Sequence, residues 1–277
     1  MSEDIRTAGP RVRGAELARA TSRSLQIQAL LTPERMQGPG FAFALVPVLR
    51  RLYPARDDLA RALTRHLAYF ATHPVLSGYV LGAAARLEER RAGGDPIQDD
   101  AIDGMKRALA SPLAALGDPL FWTTLRPLAG LLGVLAVSFL PGPNAIGPDL
   151  RVLLCPLFTL LAYNAVALPF RVAGVSRGYA EVDSPGDLVR SLRLKEWRDV
   201  LARGGALGYG ALLAFVGLAL DLGSISWGGD ERARLAALVP LAMGAGIGFV
   251  GLRRWPGRVV EVGLLTLGSA AVAAAFL

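Results

Sequence analysis

The spacing of apolar residues changes character near the middle of the chain. In the first half, apolar positions recur at helical intervals and are interrupted by charge. Residues 57–70 show this best: Leu59, Leu63, Leu67 and Phe70 repeat at helical spacing, with Arg56, Arg61 and Arg65 on the other side. Such a helix belongs on a surface, either membrane or partner. Upstream, residues 14–31 predict a helix with an irregular apolar face of Leu17, Leu25, Ile27 and Leu31. Thr32-Pro33-Glu34 has the form of an N-cap followed by proline at the first helical position. Gly38-Pro39-Gly40 then interrupts that helix before the apolar run 41–49, which is too short to span a bilayer but can dip into one. Downstream, Pro74 disfavours helical geometry at His73 and stops the amphipathic helix. Residues 74–87 follow as a second short apolar helix, and the charged stretch 88–100, with Gly93-Gly94, reads as a solvated loop.

The second half has long tracts without charge. Residues 127–140 are uncharged but short, and Pro141-Gly142-Pro143 ends them, which suits a re-entrant limb or a half-span. Residues 150–170, 206–220, 235–252 and 259–277 are each near the ~20 residues a helix needs to cross the bilayer. Between the last two, Arg253, Arg254 and Arg258 with Trp255 mark a cytoplasmic interface, which places Leu277 and the stretch 224–234 outside. The predicted fold is an all-α membrane protein. Residues 1–13 are expected to be disordered, 14–126 to form amphipathic and re-entrant helices on the cytoplasmic face, and 127–277 to supply about four transmembrane helices.

Composition agrees with a membrane location. The 277 residues are 52% hydrophobic, with a mean hydropathy of +0.39, more apolar than the surface of one soluble domain of this size allows. The net charge of +7 is almost all arginine, since Lys106 and Lys195 are the only lysines. These arginines sit on helix faces and beside apolar segments, which suits a lipid surface and not a nucleic acid. The single Cys155 lies in an apolar run and excludes an intramolecular disulfide. Residues 1–23 are polar and carry no signal-peptide core, so the N-terminus is expected in the cytoplasm.

The stretch 115–127 concentrates unusual residues. Gly117-Asp118-Pro119 reads as a helix start, with Asp118 as the cap and Pro119 needing no amide partner. Asp118, Trp122 and Arg126 then recur every fourth residue as one stripe. An acid and a base beside the membrane are costly unless paired or facing a wet cavity. The stripe therefore reads either as functional or as an N-cap with an interfacial Trp/Arg anchor.

At this point the sequence resembles a known family, the mannose/fructose/sorbose-type phosphotransferase permeases, subunit IID. Leu-Gly-Asp118-Pro-Leu-Phe-Trp122-Thr-Thr-Leu-Arg126-Pro resembles that family's Gly-Asp-Ser-Leu-Phe-Trp-Gly-Thr-Leu-Arg-Pro signature. Glu34-Arg35-Met36-Gln37 with Gly40-Phe41 resembles its Glu-Arg-Met-Gln-x-x-Gly-Phe segment. Arg65-His66, Phe70, and Thr72-His73-Pro74 resemble its Arg-His-x-x-Phe-Phe-Asn-Thr-His-Pro, with Leu87-Glu88-Glu89 following. Asn164, Arg171, Gly174 and Gly178-Tyr179 resemble its Asn…Arg-Tyr-x-Gly…Gly-Tyr region.

The resemblance implies a subunit that is not catalytic or phosphorylated by itself and that carries no cofactor or metal. In that family IID and IIC together form the membrane unit of a group-translocation permease in the bacterial inner membrane. IIA and IIB phosphocarriers relay phosphate from phosphoenolpyruvate to the incoming hexose-type sugar, and IIC/IID pairs form a homo-oligomer. Phosphate travels on IIA and IIB histidines, so neither His66 nor His73 is expected to carry it; nor do these two have a third ligand for a metal. Sugar recognition needs donors, acceptors and an aromatic face in a closed site. Arg35, Gln37, His73, Asp118, Trp122, Arg126 and Asn164 are the available set, taken as a group.

Three departures from the family pattern are Pro119 for serine, Ala167 for histidine and Ala71 for asparagine. They keep open a transport-deficient or regulatory relative that binds IIC and senses sugar. An intramembrane aspartyl protease is disfavoured, because Ala115 replaces the first glycine of Gly-x-Gly-Asp and Asp149 and Asp221 lie only at segment ends.

Overall fold

In the computed structural model the described residues are 11–138 and 148–205, and every regular element among them is helical. The chain divides into two compact units, Met1–Asp118 with Ala165–Arg193, and Pro119–Asn164 with Leu194–Leu277. The predicted spans 206–220, 235–252 and 259–277, the arginine loop 253–258 and the N-terminal residues 1–10 lie outside the described residues.

The first unit is built on α2 (Gly38–Leu52) and α4 (Ser77–Ala92), which pack on each other and together on α1 (Gly14–Ser24). The flanking helix α3 (Arg56–His66) lies on α2, while α5 (Asp99–Asp118) lies on α4 and on the short α8 (Pro185–Ser191). Phe41, Leu45, Leu49, Leu81, Ile102, Leu109 and Leu113 are all fully buried there. At ~25 cal/mol per Å² this apolar burial is the main stabilising contribution.

Several boundaries differ from expectation, each for a packing reason. α1 ends at Ser24 instead of Leu31, and residues 25–31 form successive turns. Thr32-Pro33-Glu34 starts no helix: Thr32 pairs with Met36 in an isolated bridge, and Met36, at φ 50°, turns the chain to meet Phe70. Gly38-Pro39-Gly40 begins α2 instead of interrupting a helix. A Cβ on Gly38 would stand 2.3 Å from the Ala68 carbonyl oxygen and one on Gly40 2.0 Å from that of Ile27, so close backbone approach selects glycine here.

α3 keeps the predicted amphipathic character but stops at His66, and it buries Ala62 and His66. Arg65, expected on the solvent side, is 9% exposed. α4 runs on to Ala92, so Glu88 and Glu89 are buried helical residues and only 93–98 form the loop. Residues 11–13 are tied down: the Val12 amide donates to Glu89 Oε1 at 2.7 Å, and that of Arg13 to Glu16 Oε2 at 2.9 Å.

The helix start predicted at Asp118-Pro119 is absent. α5 continues through Asp118 into a π-helical segment, Pro119–Leu125, and then α6 (Arg126–Ser138). Proline cannot donate to the preceding turn and its ring crowds it; the wider π turn absorbs both defects. The hydroxyls of Thr123 and Thr124 donate to the Pro119 carbonyl at 2.6 and 2.9 Å.

The long helix α7 (Pro148–Ala180) belongs to both units. Its stretch Leu153–Ala180 is long and apolar enough to cross a bilayer, with an 18-residue window of mean hydropathy 1.8. The predicted span 150–170 lies within this helix, which runs ten residues further, to Ala180. Leu153, Leu157, Leu160 and Leu161 are exposed along its first half. In the first unit its second half crosses α4 glycine against glycine. A Cβ on Gly178 would lie 1.9 Å from the Tyr79 carbonyl oxygen, and one on Gly82 2.0 Å from that of Val175.

Candidate functional site

The motif residues of the first unit meet where the turn before α2 crosses the segment after α3. The Gln37 amide donates to the Phe70 carbonyl at 2.8 Å, and the Phe70 amide to Arg35 at 3.3 Å. The Gln37 side chain completes the junction, its Nε2 donating to the Thr72 carbonyl at 2.8 Å and its Oε1 accepting the Thr72 amide at 3.2 Å. The Thr72 hydroxyl donates to the Ala110 carbonyl of α5 at 3.0 Å.

His73 follows at 1% exposure. Its Nδ1 accepts the Val75 amide at 3.3 Å, which leaves the proton of the neutral ring on Nε2. Burial, and then the charge of Arg171, lower its pKa to about 4. Gly117 gives it room, since a Cβ there would sit 2.7 Å from His73 Cβ.

A second polar cluster, behind this junction, was not among the sequence candidates. Glu88, fully buried, accepts the Tyr53 hydroxyl at 2.6 Å and pairs with His66 Nε2 and Arg65 Nε, each at 2.9 Å. Burial pushes its carboxyl up, but the bonds from His66 and Tyr53 and the charge of Arg65 outweigh that and leave it below the ordinary range. Burial lowers the His66 pKa, so the neutral ring donates to Glu88. Phe41 closes the cluster, with Lys106 Nζ 5.3 Å from its ring centroid and the His66 ring 5.8 Å away. The spacing Leu81, Ala85, Glu88 on one helix face was the available signal for an inward Glu88.

In the second unit Trp122 and Arg126 do come together, with the guanidinium carbon 5.3 Å from the indole centroid. Both are exposed, Trp122 at 39%. Asn164 is exposed on α7 and donates to the Leu160 carbonyl of its own helix at 2.9 Å. In the first unit Arg35 and Asp118 are exposed. Of the seven predicted residues, then, Gln37 and His73 are enclosed and adjacent in the chain's folding, Trp122 and Arg126 form a surface pair, and the others are open. No group of three or more potential metal ligands occurs among the described residues.

Residues 11–214 match the family model described as the PTS system mannose/fructose/sorbose family IID component. The chain belongs to that family. It is similar to the mannose-specific EIID component of Escherichia coli K12, 41% identical over 161 residues, covering 57% of this chain and 53% of that protein. It is also similar to the sorbose-specific EIID component of Klebsiella pneumoniae, 39% identical over 176 residues, covering 61% and 60% of the two chains. The chain thus spans between half and two thirds of the length of these curated relatives. Among solved structures it resembles a chain in the complex of the mannose transporter ManYZ with microcin E492, with a TM-score of 0.55 and 34% identity over 74% of this chain and 71% of that one. As in IID components generally, this is a membrane protein. Within this IID chain the family motifs mark two different structural tasks, an enclosed junction and an exposed surface pair.

Proposed function

We propose that this chain is the IID subunit of a mannose-type sugar permease, and that it passes a hexose-type sugar through the bacterial inner membrane together with an IIC subunit. IIA and IIB carriers supply phosphate from phosphoenolpyruvate, the N-terminus is cytoplasmic, and IIC/IID pairs form a homo-oligomer. The observation that carries this reading is the family match over residues 11–214, joined to the likeness to a chain of a mannose transporter complex. The enclosure of both histidines fits a subunit that carries no phosphate: His66 is 0% and His73 1% exposed, so neither ring offers a nitrogen for in-line attack.

The exposed members of the motif set are the ones suited to sugar or to IIC. Trp122 offers an aromatic face, Arg126 a fork of donors, and Asp118 and Asn164 further polar groups. In this proposal the N-terminal helices move as a block against a scaffold; the buried junction of Gln37 with Thr72, which ties the turn before α2 to the segment after α3, supports that reading.

Phosphoenolpyruvate-dependent sugar uptake in vesicles holding this chain, IIC, IIA and IIB tests the proposal. Uptake that vanishes when this chain is omitted supports it. Sugar binding without uptake assigns the chain instead to a regulatory relative. Normal binding and uptake by Asp118→Asn and Trp122→Ala variants would remove these residues from the pathway.

A further inference from the structure

A groove of about 590 Å³ lies between the end of α2, α3 and the start of α5, and neither the junction nor the surface pair uses it. Its walls include Tyr53, Arg61, Thr64, Arg65, Arg91 and Asp99. Three guanidiniums therefore face it against the carboxylates of Asp99 and of Asp58, which is paired to Arg61 within one helical turn.

The arrangement of Asp99 is the informative feature. One of its oxygens, Oδ1, accepts from Nη1 of both Arg65 and Arg91. Arg65 is 9% exposed and is fixed from behind by the buried Glu88 at 2.9 Å, whereas Asp99 is 57% exposed. Two guanidiniums gripping one exposed oxygen, one of them immobilised by a buried carboxylate, form an oxyanion clamp whose present occupant belongs to the chain itself.

We propose that this groove binds a phosphate monoester, and that Asp99 is an internal stand-in that the phosphate displaces. A phosphate presents three terminal oxygens and up to two negative charges, enough to engage Arg65, Arg91 and Arg61 together, with the Thr64 hydroxyl beside them. A carboxylate such as Asp99 has only two oxygens and leaves Arg61 to its exposed pair with Asp58. The Arg91 and Arg65 charges hold the Asp99 carboxyl below its ordinary range, so the stand-in is ionised at neutral pH and competes with the ligand as an anion. This inference does not depend on the sugar-pathway reading.

The same chemistry is found in a soluble sugar phosphate and in a lipid headgroup, and the test separates them. The full chain in phosphatidylcholine nanodiscs is titrated calorimetrically with inorganic phosphate and with a hexose 6-phosphate. Saturable binding is expected, tighter by about tenfold in Asp99→Asn, which removes the competing charge, and weaker by at least about tenfold in Arg91→Gln. Repeating the titration in nanodiscs containing phosphatidic acid assigns the source: lost binding of the soluble ester identifies the lipid headgroup as the occupant, and retained binding identifies the soluble ester. The proposal is overturned if wild type and Asp99→Asn titrate no better than Arg91→Gln. It is equally overturned if Asp99→Asn unfolds more easily and gains no phosphate affinity, because Asp99 is then a structural tie alone.

Discussion

Two sets of polar residues drawn from the same family motifs have opposite surroundings. In the first unit Gln37 and His73 are 5% and 1% exposed; in the second, Trp122 is 39% exposed and Arg126 stands open beside it. A polar group enclosed in protein is tolerated only when its hydrogen bonds are made there, so Gln37 has both ends of its amide committed to Thr72. An exposed Trp–Arg pair, with the guanidinium over the indole, stands at the surface where another molecule can reach it. Membership in a motif does not separate these roles, but burial does. The buried set should govern stability, and the open set should govern transport.

The largest stability effect is expected at Glu88, the hub of the enclosed set. Glu88→Ala removes the partner of Tyr53, His66 and Arg65 together and leaves the nearly buried Arg65 guanidinium with the half-exposed Asp99 as its remaining counter-charge. The expected loss is about 3–5 kcal/mol, measured by denaturant unfolding of the full chain in detergent. A loss below about 1 kcal/mol would place these groups in water and undo the contrast between the two regions.

Acid should weaken the same region. Unfolded imidazole takes up a proton near pH 6.5, whereas folded His73 resists it down to about 4, so below 6.5 the unfolded state binds more protons. The His73 contribution is therefore flat above pH 6.5 and falls by about 2–3 kcal/mol as pH drops through this window, with His66 adding to the loss in the same direction. His73→Gln, read by the pH dependence of the unfolding midpoint, should flatten the profile. A profile unchanged by that substitution would mean that His73 is protonated in the fold.

Much of the enclosed region was legible because its signals are local. The leucine spacing of 57–70 gave the presence of α3, although the helix stops at His66, before the end that Thr72-His73-Pro74 marked. Glu88 was not legible in the same way, since a Glu-Glu-Arg-Arg run looks solvated. Its burial depends on Tyr53, Arg65 and His66, which are remote in sequence and converge only after α2, α3 and α4 pack. Asp118-Pro119 misled for a related reason: proline usually starts or stops a helix, and the π turn that carries it through has no local signature. Trp122 and Arg126 were paired correctly because their spacing is that of neighbours on one helix face.

A smaller stability effect is expected at Gln37. Gln37→Ala leaves the Thr72 amide and carbonyl without the side chain that satisfies them, at a cost of about 1–3 kcal/mol in unfolding free energy. Gln37→Glu keeps the acceptor for the Thr72 amide but sets a carboxylate oxygen against the Thr72 carbonyl, and it should be no milder than alanine. If Gln37→Ala abolished transport at unchanged stability, Gln37 would have to be moved to the open set.

The smallest stability effect and the sharpest contrast are expected at the surface pair. An exposed cation–π contact contributes about 0.5–1 kcal/mol, so Trp122→Ala and Arg126→Gln should each unfold within about 1 kcal/mol of wild type. Under the proposed contact with sugar or IIC, both should nonetheless abolish sugar uptake, because each removes a group that the other molecule would use, an aromatic face or a donor fork. A membrane-interface anchor predicts something else: Trp122→Tyr and Arg126→Lys keep interfacial preference and would retain uptake. A binding pair needs the fork and the larger ring, so under that assignment even these conservative variants fail. Uptake by the conservative pair, measured against equal amounts of inserted protein, therefore decides whether this stripe contacts lipid or cargo.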